Sequence, residues 1–205
     1  MALVGRREDF VRWPFKATWP DDGRVRTERL VKTWISYGLH ILASDPRARV
    51  ALIVMDPSDI GIAQRIREGI GRPERTVLLA GADLTPPEMS AAMGELSTIA
   101  TSRYHALVMP LAYAIPYVAL GHDTRTRFIS DELGVSEYFV PHDTPPADLL
   151  TELTERYERL MSERDSVQER LARGFRAMQA RDQENYRLMG NVLSARGYEV
   201  NSVGA

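Results

Sequence analysis

Short apolar runs, each followed by a turn and a helical pattern, recur through the first two thirds of this chain, and that alternation limits what it can fold into. The clearest run is Arg49 to Met55, Arg-Val-Ala-Leu-Ile-Val-Met. It is continuous rather than alternating, so it suits a strand covered on both faces. Thr76–Ala80, Ser97–Thr101, Tyr117–Leu120 after Pro116, and Tyr138–Val140 repeat the theme, and Ala2-Leu3-Val4 is a candidate first strand. Helical patterns fall between them. From Glu28 to Leu42 the stripe is Leu30, Trp34, Ile35, Leu39, Ile41 and Leu42, ended by Asp45-Pro46. Asp59 is placed to cap a helix carrying Ile62, Ile66 and Ile70, and Thr85-Pro86-Pro87-Glu88 reads as a capping box with proline in the first turn. Ser102–Ala114 and Thr124–Leu133, the latter closed by Gly134, complete the series. Residues 5–24, with Trp13-Pro14 and Trp19-Pro20, read as a long loop. Strand and helix in alternation predict an α/β fold: a Rossmann-like parallel sheet with helices on both faces.

This domain is expected to span residues 1–146. Residues 147–205 form a helical tail, with Leu153, Tyr157, Leu160, Val167, Leu171 and Met178 near helical spacing and Arg164 and Gly174 as interruptions. Two readings of the tail stay open. It is one or two amphipathic helices packed back on the domain, or an arm that joins a second copy or a further domain. Composition narrows the function classes. With 26 basic against 28 acidic residues the net charge is −2, which argues against general binding to nucleic acid. The absence of cysteine removes thiolate metal sites and a cysteine nucleophile. No apolar run reaches the ~20 residues that cross a bilayer. Met1–Phe10 carries Arg6, Arg7, Glu8 and Asp9, unlike a secretory signal, so a cytoplasmic location is expected.

In an open parallel sheet, ligands gather beyond the C-terminal ends of the strands. That rule selects Gly5–Arg7, Asp56–Asp59, Gly81–Thr85, Thr101–His105 and Gly121–Arg125. The fourth combines most chemistry. Arg103 supplies a planar fork for carboxylate or phosphate, and His105 supplies an acid or base near neutrality. An expected helix N-terminus adds free N–H groups and a positive dipole end. Surface pairing for Arg103 and simple packing for His105 remain the ordinary alternatives. Ser102 is expected to cap the helix, since no glycines of a nucleophile elbow flank it. Asp123 and Arg125, after the next strand, could accept a hydroxyl and bind an anion, or cap a helix and sit in solvent. His105, His122 and His142 with Asp123 and Asp143 match no metal-ligand spacing, so no metal is expected. Gly69 and Gly71 precede a strand, so they form no phosphate loop, and no cofactor is expected.

Residues 97–134 closely resemble the polysaccharide pyruvyl transferase family. The match lies in Ser102-Arg103-Tyr104-His105-Ala106, then Ala114-Ile115-Pro116, a strand, and Asp123-Thr124-Arg125 in place of the family's Asp-x-Lys. A weaker resemblance over residues 1–140 implies the C-terminal half of the fold shared with two-domain (GT-B) glycosyltransferases. The family moves the enolpyruvyl unit of phosphoenolpyruvate onto a saccharide as a ketal, in polysaccharide biosynthesis. By that resemblance Arg103 holds the donor's carboxylate or phosphate, assisted by Ser102, and His105 is the catalytic general acid. Asp123 falls on the family's aspartate, Arg125 replaces its lysine, and Arg6 matches an arginine after the first strand. Family members are about twice this long, with an N-terminal half that helps bind the acceptor. Two other functions stay open: a nucleotide-sugar-binding glycosyltransferase or epimerase domain, and a non-catalytic oligomerising module using the tail.

Overall fold

The computed structural model describes residues 22–121 and 124–198. Five strands and seven α-helices alternate: α1 (Asp22–Ser44), β1 (Val50–Val54), α2 (Ile60–Ile70), β2 (Thr76–Ala80), α3 (Pro86–Gly94), β3 (Ile99–Thr101), α4 (His105–Val108), β4 (Tyr117–Gly121), α5 (Thr124–Glu132), β5 (Phe139–Pro141), α6 (Leu149–Ser162) and α7 (Arg164–Ala195). Every strand pairing is parallel. β1 pairs with β2, with Val50 opposite Thr76 and Val54 opposite Ala80. β4 lies between β3 and β5, pairing Ile99 with Tyr117 and Ala119 with Phe139. The described residues thus form a two-stranded and a three-stranded parallel sheet. Parallel neighbours need a crossover, and α2, α4 and α5 supply it. The α/β class expected from the alternation is present.

β4 is buried at all five positions, as its uninterrupted apolar sequence Tyr-Val-Ala-Leu-Gly requires. β2 is covered less completely, and its Val77 is about half exposed. The expected Ile62, Ile66 and Ile70 stripe is the buried face of α2. Each such side chain contributes roughly 1.5–3 kcal/mol relative to staying in water. The Thr85–Glu88 capping box is formed, with the Thr85 N–H donating to Glu88 Oε2 at 2.8 Å.

α1 differs from its expected form. It begins at Asp22, inside the stretch read as loop, because a polar first turn leaves no apolar stripe to detect. Its buried face is Val31, Trp34, Tyr37 and Leu42, while Leu39 is exposed. Tyr37 meets Trp34 edge-on at 5.8 Å and Tyr157 of α6 at 6.0 Å, so an aromatic chain ties α1 to α6. The glycines excluded as a phosphate loop have structural roles. A Cβ on Gly69 would lie 2.3 Å from Ile35 Cδ1, and one on Gly38 would lie 2.8 Å from Ile70 Cδ1. Each helix thus offers a glycine hollow to an isoleucine of the other. Gly71 closes α2 in the left-handed conformation, φ 61°. Arg75 spans the end of α1: its guanidinium donates to the carbonyls of Leu42, Asp45 and Ala48 at 2.7–3.0 Å.

The helix expected over Ser102–Ala114 is broken. Only His105–Val108 is α-helical, and a 3-10 turn follows at Leu111–Tyr113. Pro110 has no N–H for the next helical bond, and Ala114 then ends the segment at φ 50°. The tail is two helices. Leu149, Leu153, Tyr157 and Leu160 bury one face of α6, and Val167 and Leu171 continue it on α7. Arg164 marks their junction, as expected of an interruption. Gly174 does not interrupt; a Cβ there would meet Leu133 Cδ2 at 2.8 Å, so it lets α7 pack close. No helix among the described residues is long and apolar enough to cross a membrane.

Candidate functional site

Three strand ends contribute to one group of side chains. After β1, Asp56 opens a 3-10 turn over Pro57–Asp59, its carboxylate accepting from Ser58 N at 3.0 Å and Ser58 Oγ at 2.8 Å. Those bonds hold the Asp56 carboxyl below the usual carboxylate range. Asp56 is therefore the cap of this turn. Asp59, the expected helix cap, makes no capping bond. Its carboxylate is instead buried, with 2% of the side chain exposed, and its Oδ2 accepts from Arg103 Nη2 at 2.6 Å.

Arg103 belongs to the turn that follows β3. The Thr101 hydroxyl accepts the Arg103 N–H at 2.9 Å. Thr101 thus helps fix the turn; Ser102 is buried, and the short α4 has no side-chain cap. Four residues of helix carry little dipole, so the expected anion-attracting helix N-terminus is not formed here. What positions charge at this strand end is the ion pair with Asp59. Burial pushes the Asp59 carboxyl up, and the Arg103 hydrogen bond and charge oppose that without overcoming it. Asp59 Oδ1 is buried and has no hydrogen-bond partner among the described residues. The Arg103 side chain is about one third exposed, and its Nε is buried.

His105 is exposed at the start of α4. Its ring meets Tyr104 edge-on, with centroids 5.7 Å apart. Arg125, exposed in the first turn of α5 beyond β4, lays its guanidinium over the same Tyr104 ring at 5.0 Å from the centroid. Tyr104 therefore connects the third and fourth strand ends, as the Asp59–Arg103 pair connects the first and third. Of the residues selected from sequence, His105 and Arg125 meet on the Tyr104 ring, while Arg103, next to Tyr104 in the chain, pairs with Asp59. Asp123, Arg6 and His122 lie outside the described residues.

Two members of the set were missed in the sequence. Tyr104 occupies the variable position of Ser-Arg-x-His-Ala, where no rule assigns a role. Asp59 stood in one of the five strand-end segments but was assigned to a cap, since Asp before a helix is the ordinary N-cap signal. Among the described residues no three His, Asp or Glu side chains converge as metal ligands. A concavity of about 310 Å³ lies elsewhere, at the α6–α7 junction. It is lined by the consecutive residues Met161–Ser166 and holds none of this group.

The set can do limited but definite chemistry. It offers guanidinium groups to an anion, a histidine at the rim to give or take a proton, and an aromatic face between them. Comparison of the chain with protein-family models, with curated proteins and with solved structures finds no match.

Proposed function

We propose that this chain is the donor-binding, Rossmann-like half of a polysaccharide pyruvyl transferase-like enzyme, binding phosphoenolpyruvate at the ends of β3 and β4. One observation carries the reading: the charged residues of the family-like segment stand in two neighbouring groups at the strand ends, Arg103 with Asp59, and His105 and Arg125 on the Tyr104 ring. Phosphoenolpyruvate carries a carboxylate and a phosphate, and two guanidinium groups suit two anionic ends. His105 then protonates the methylene carbon of the donor. The central carbon takes one acceptor hydroxyl oxygen, inorganic phosphate leaves with the bridging oxygen, and the second hydroxyl oxygen then adds; one hydroxyl proton returns to His105 and the other goes to the phosphate. The positive charge of Arg103 and Arg125 stabilises that departure. Asp123 and Arg6 remain proposed donor contacts by resemblance, and the saccharide acceptor is assigned to a further domain. The seat of the Arg125 guanidinium over the Tyr104 ring holds a positive charge at this strand end, which supports anion binding here.

Calorimetric titration with phosphoenolpyruvate and, separately, uridine diphosphate tests the reading. Binding of phosphoenolpyruvate and not of the nucleotide is expected. The opposite order would favour a nucleotide-sugar domain, and no binding of either would leave the third reading, an oligomerising module, in place. The exposed end of α7 is the observation that keeps this last reading in play.

A further inference from the structure

α7 presents one stripe along its whole length, and the body covers only part of it. Val167 and Leu171 are buried, and Phe175 and Met178 are partly buried against the core. Arg181 makes the last tie, a two-pronged ion pair with Glu132 of α5 at 2.8–2.9 Å. Beyond it the helix runs on from Asp182 to Ala195, about 20 Å at ~1.5 Å per residue. Every residue of that arm except Gly190 is exposed. The apolar stripe does not stop with the body: Tyr186 is 65% exposed, Met189 53%, Val192 56% and Leu193 37%. The opposite face carries Glu184, Arg187 and Asn191, with Arg187 paired to Glu184 at 2.5 Å, and Leu188, 49% exposed, widens the apolar stripe on the Val192 side. A helical arm this short with an uncovered apolar face is marginal in water by itself.

The order of residues in the stripe says what covers it. Asp182, Tyr186, Met189, Leu193 and Arg196 follow spacings of four, three, four and three, the seam of a coiled coil. The charged ends of the seam exchange when it is read backwards. Set antiparallel about Met189, Asp182 of one arm faces Arg196 of the other, Tyr186 faces the Val192–Leu193 step, and Met189 faces itself. A parallel pair would set Asp182 against Asp182 and Arg196 against Arg196, which like-charge repulsion disfavours. Asp182 and Arg196 have no ion-pair partner within their own chain among the described residues, so both are available to this pairing. We infer that the α7 arms of two copies of this chain pair antiparallel, across a twofold axis at Met189, to form a homodimer. The inference is independent of the proposed donor site.

The chain has no cysteine, so introduced thiols report the register without background. Sedimentation of the full chain should show a monomer–dimer equilibrium in the micromolar range. Met189→Lys should abolish the dimer. Asp182→Arg should weaken it by about tenfold or more, and adding Arg196→Asp should restore it. On mild oxidation, Met189→Cys should cross-link to itself. Asp182→Cys alone should not, but mixed with Arg196→Cys it should. Circular dichroism should show each variant still folded, because all these positions are exposed. A monomer at every concentration would overturn the inference. So would a dimer indifferent to Met189→Lys, or an Asp182→Cys chain that cross-links with itself.

Discussion

The Asp59–Arg103 pair makes the sharpest prediction, because the two partners are buried to such different degrees. Asp59 has 2% of its side chain exposed and Arg103 31%. Arg103→Ala leaves a carboxylate inside the protein without its partner, a change that typically costs 3–5 kcal/mol. The partial exposure of Arg103 places the expected loss at about 3 kcal/mol at neutral pH, since water softens part of the vacancy. The loss should depend on pH, with a definite sign. The folded Asp59 carboxyl already sits above its ordinary value, because burial outweighs the help of Arg103. The folded state therefore binds this proton more tightly than the unfolded state. Its contribution to stability falls as pH rises from the ordinary aspartate value, about 4, through the folded value. Without Arg103 the main opposing influences are gone, the folded value rises further, and the penalty widens toward neutrality.

Urea unfolding followed by circular dichroism at about pH 4.5 and about pH 7.5 reads this directly. The Arg103→Ala deficit should be smaller at the lower pH, nearer the range in which Asp59 takes up its proton, and larger at the higher. Arg103→Ala with Asp59→Asn removes the buried charge as well. It should recover half or more of the loss and flatten the pH dependence. A deficit equal at both pH values would refute the reasoning, as would a double variant no more stable than the single one.

Three further outcomes follow from local geometry. Arg75→Ala strips donors from three carbonyls at the end of α1 and should cost about 2 kcal/mol in thermal or urea unfolding. Ala114→Val puts a β-branched residue at φ 50° and should cost about 2 kcal/mol, whereas Ala114→Gly should be near neutral because relief of strain offsets the lost buried methyl. Tyr138→Phe removes the hydroxyl that donates to Glu163 at 2.9 Å, at a cost of about 1 kcal/mol. The same change should raise the Glu163 carboxyl, which that bond helps hold below its usual range, and carboxylate NMR titration would show it.

What the sequence revealed was periodicity and caps. β2 lies where its Thr-Val-Leu-Leu-Ala run placed it, and the Thr85 box and the Ile62, Ile66, Ile70 stripe formed as written. These signals are local: each depends on residues within a turn or two. The break after Val108 is hidden because His-Ala-Leu-Val-Met carries a good helical pattern up to Pro110, whose missing N–H stops the helix. Tyr37 was left out of the α1 stripe because a tyrosine need not be core; the partner that makes it so, Tyr157, lies on α6. The site divides the same way. Arg103 and His105 stood out by residue type next to a strand. Their connections did not, since Asp59 is 44 positions from Arg103, after a strand of the other sheet, and only the tertiary fold brings them together. Arg125 was selected for its charge, but its seat on Tyr104 could be seen only once two strand ends were side by side.

The central claim is that the ends of β3 and β4 bind a small acid carrying carboxylate and phosphate through Arg103, Arg125 and His105; Arg103 also holds Asp59, so the other two are the cleaner probes. Titrating phosphoenolpyruvate into the full chain and into Arg125→Ala, His105→Gln and, as a control, Arg173→Ala tests it most directly. Removal of a charge-assisted contact is worth about 1.5–3 kcal/mol, so affinity should fall roughly tenfold to a hundredfold in the first variant. It should weaken in the second and stay unchanged in the control. Equal affinity for all four proteins would contradict the account.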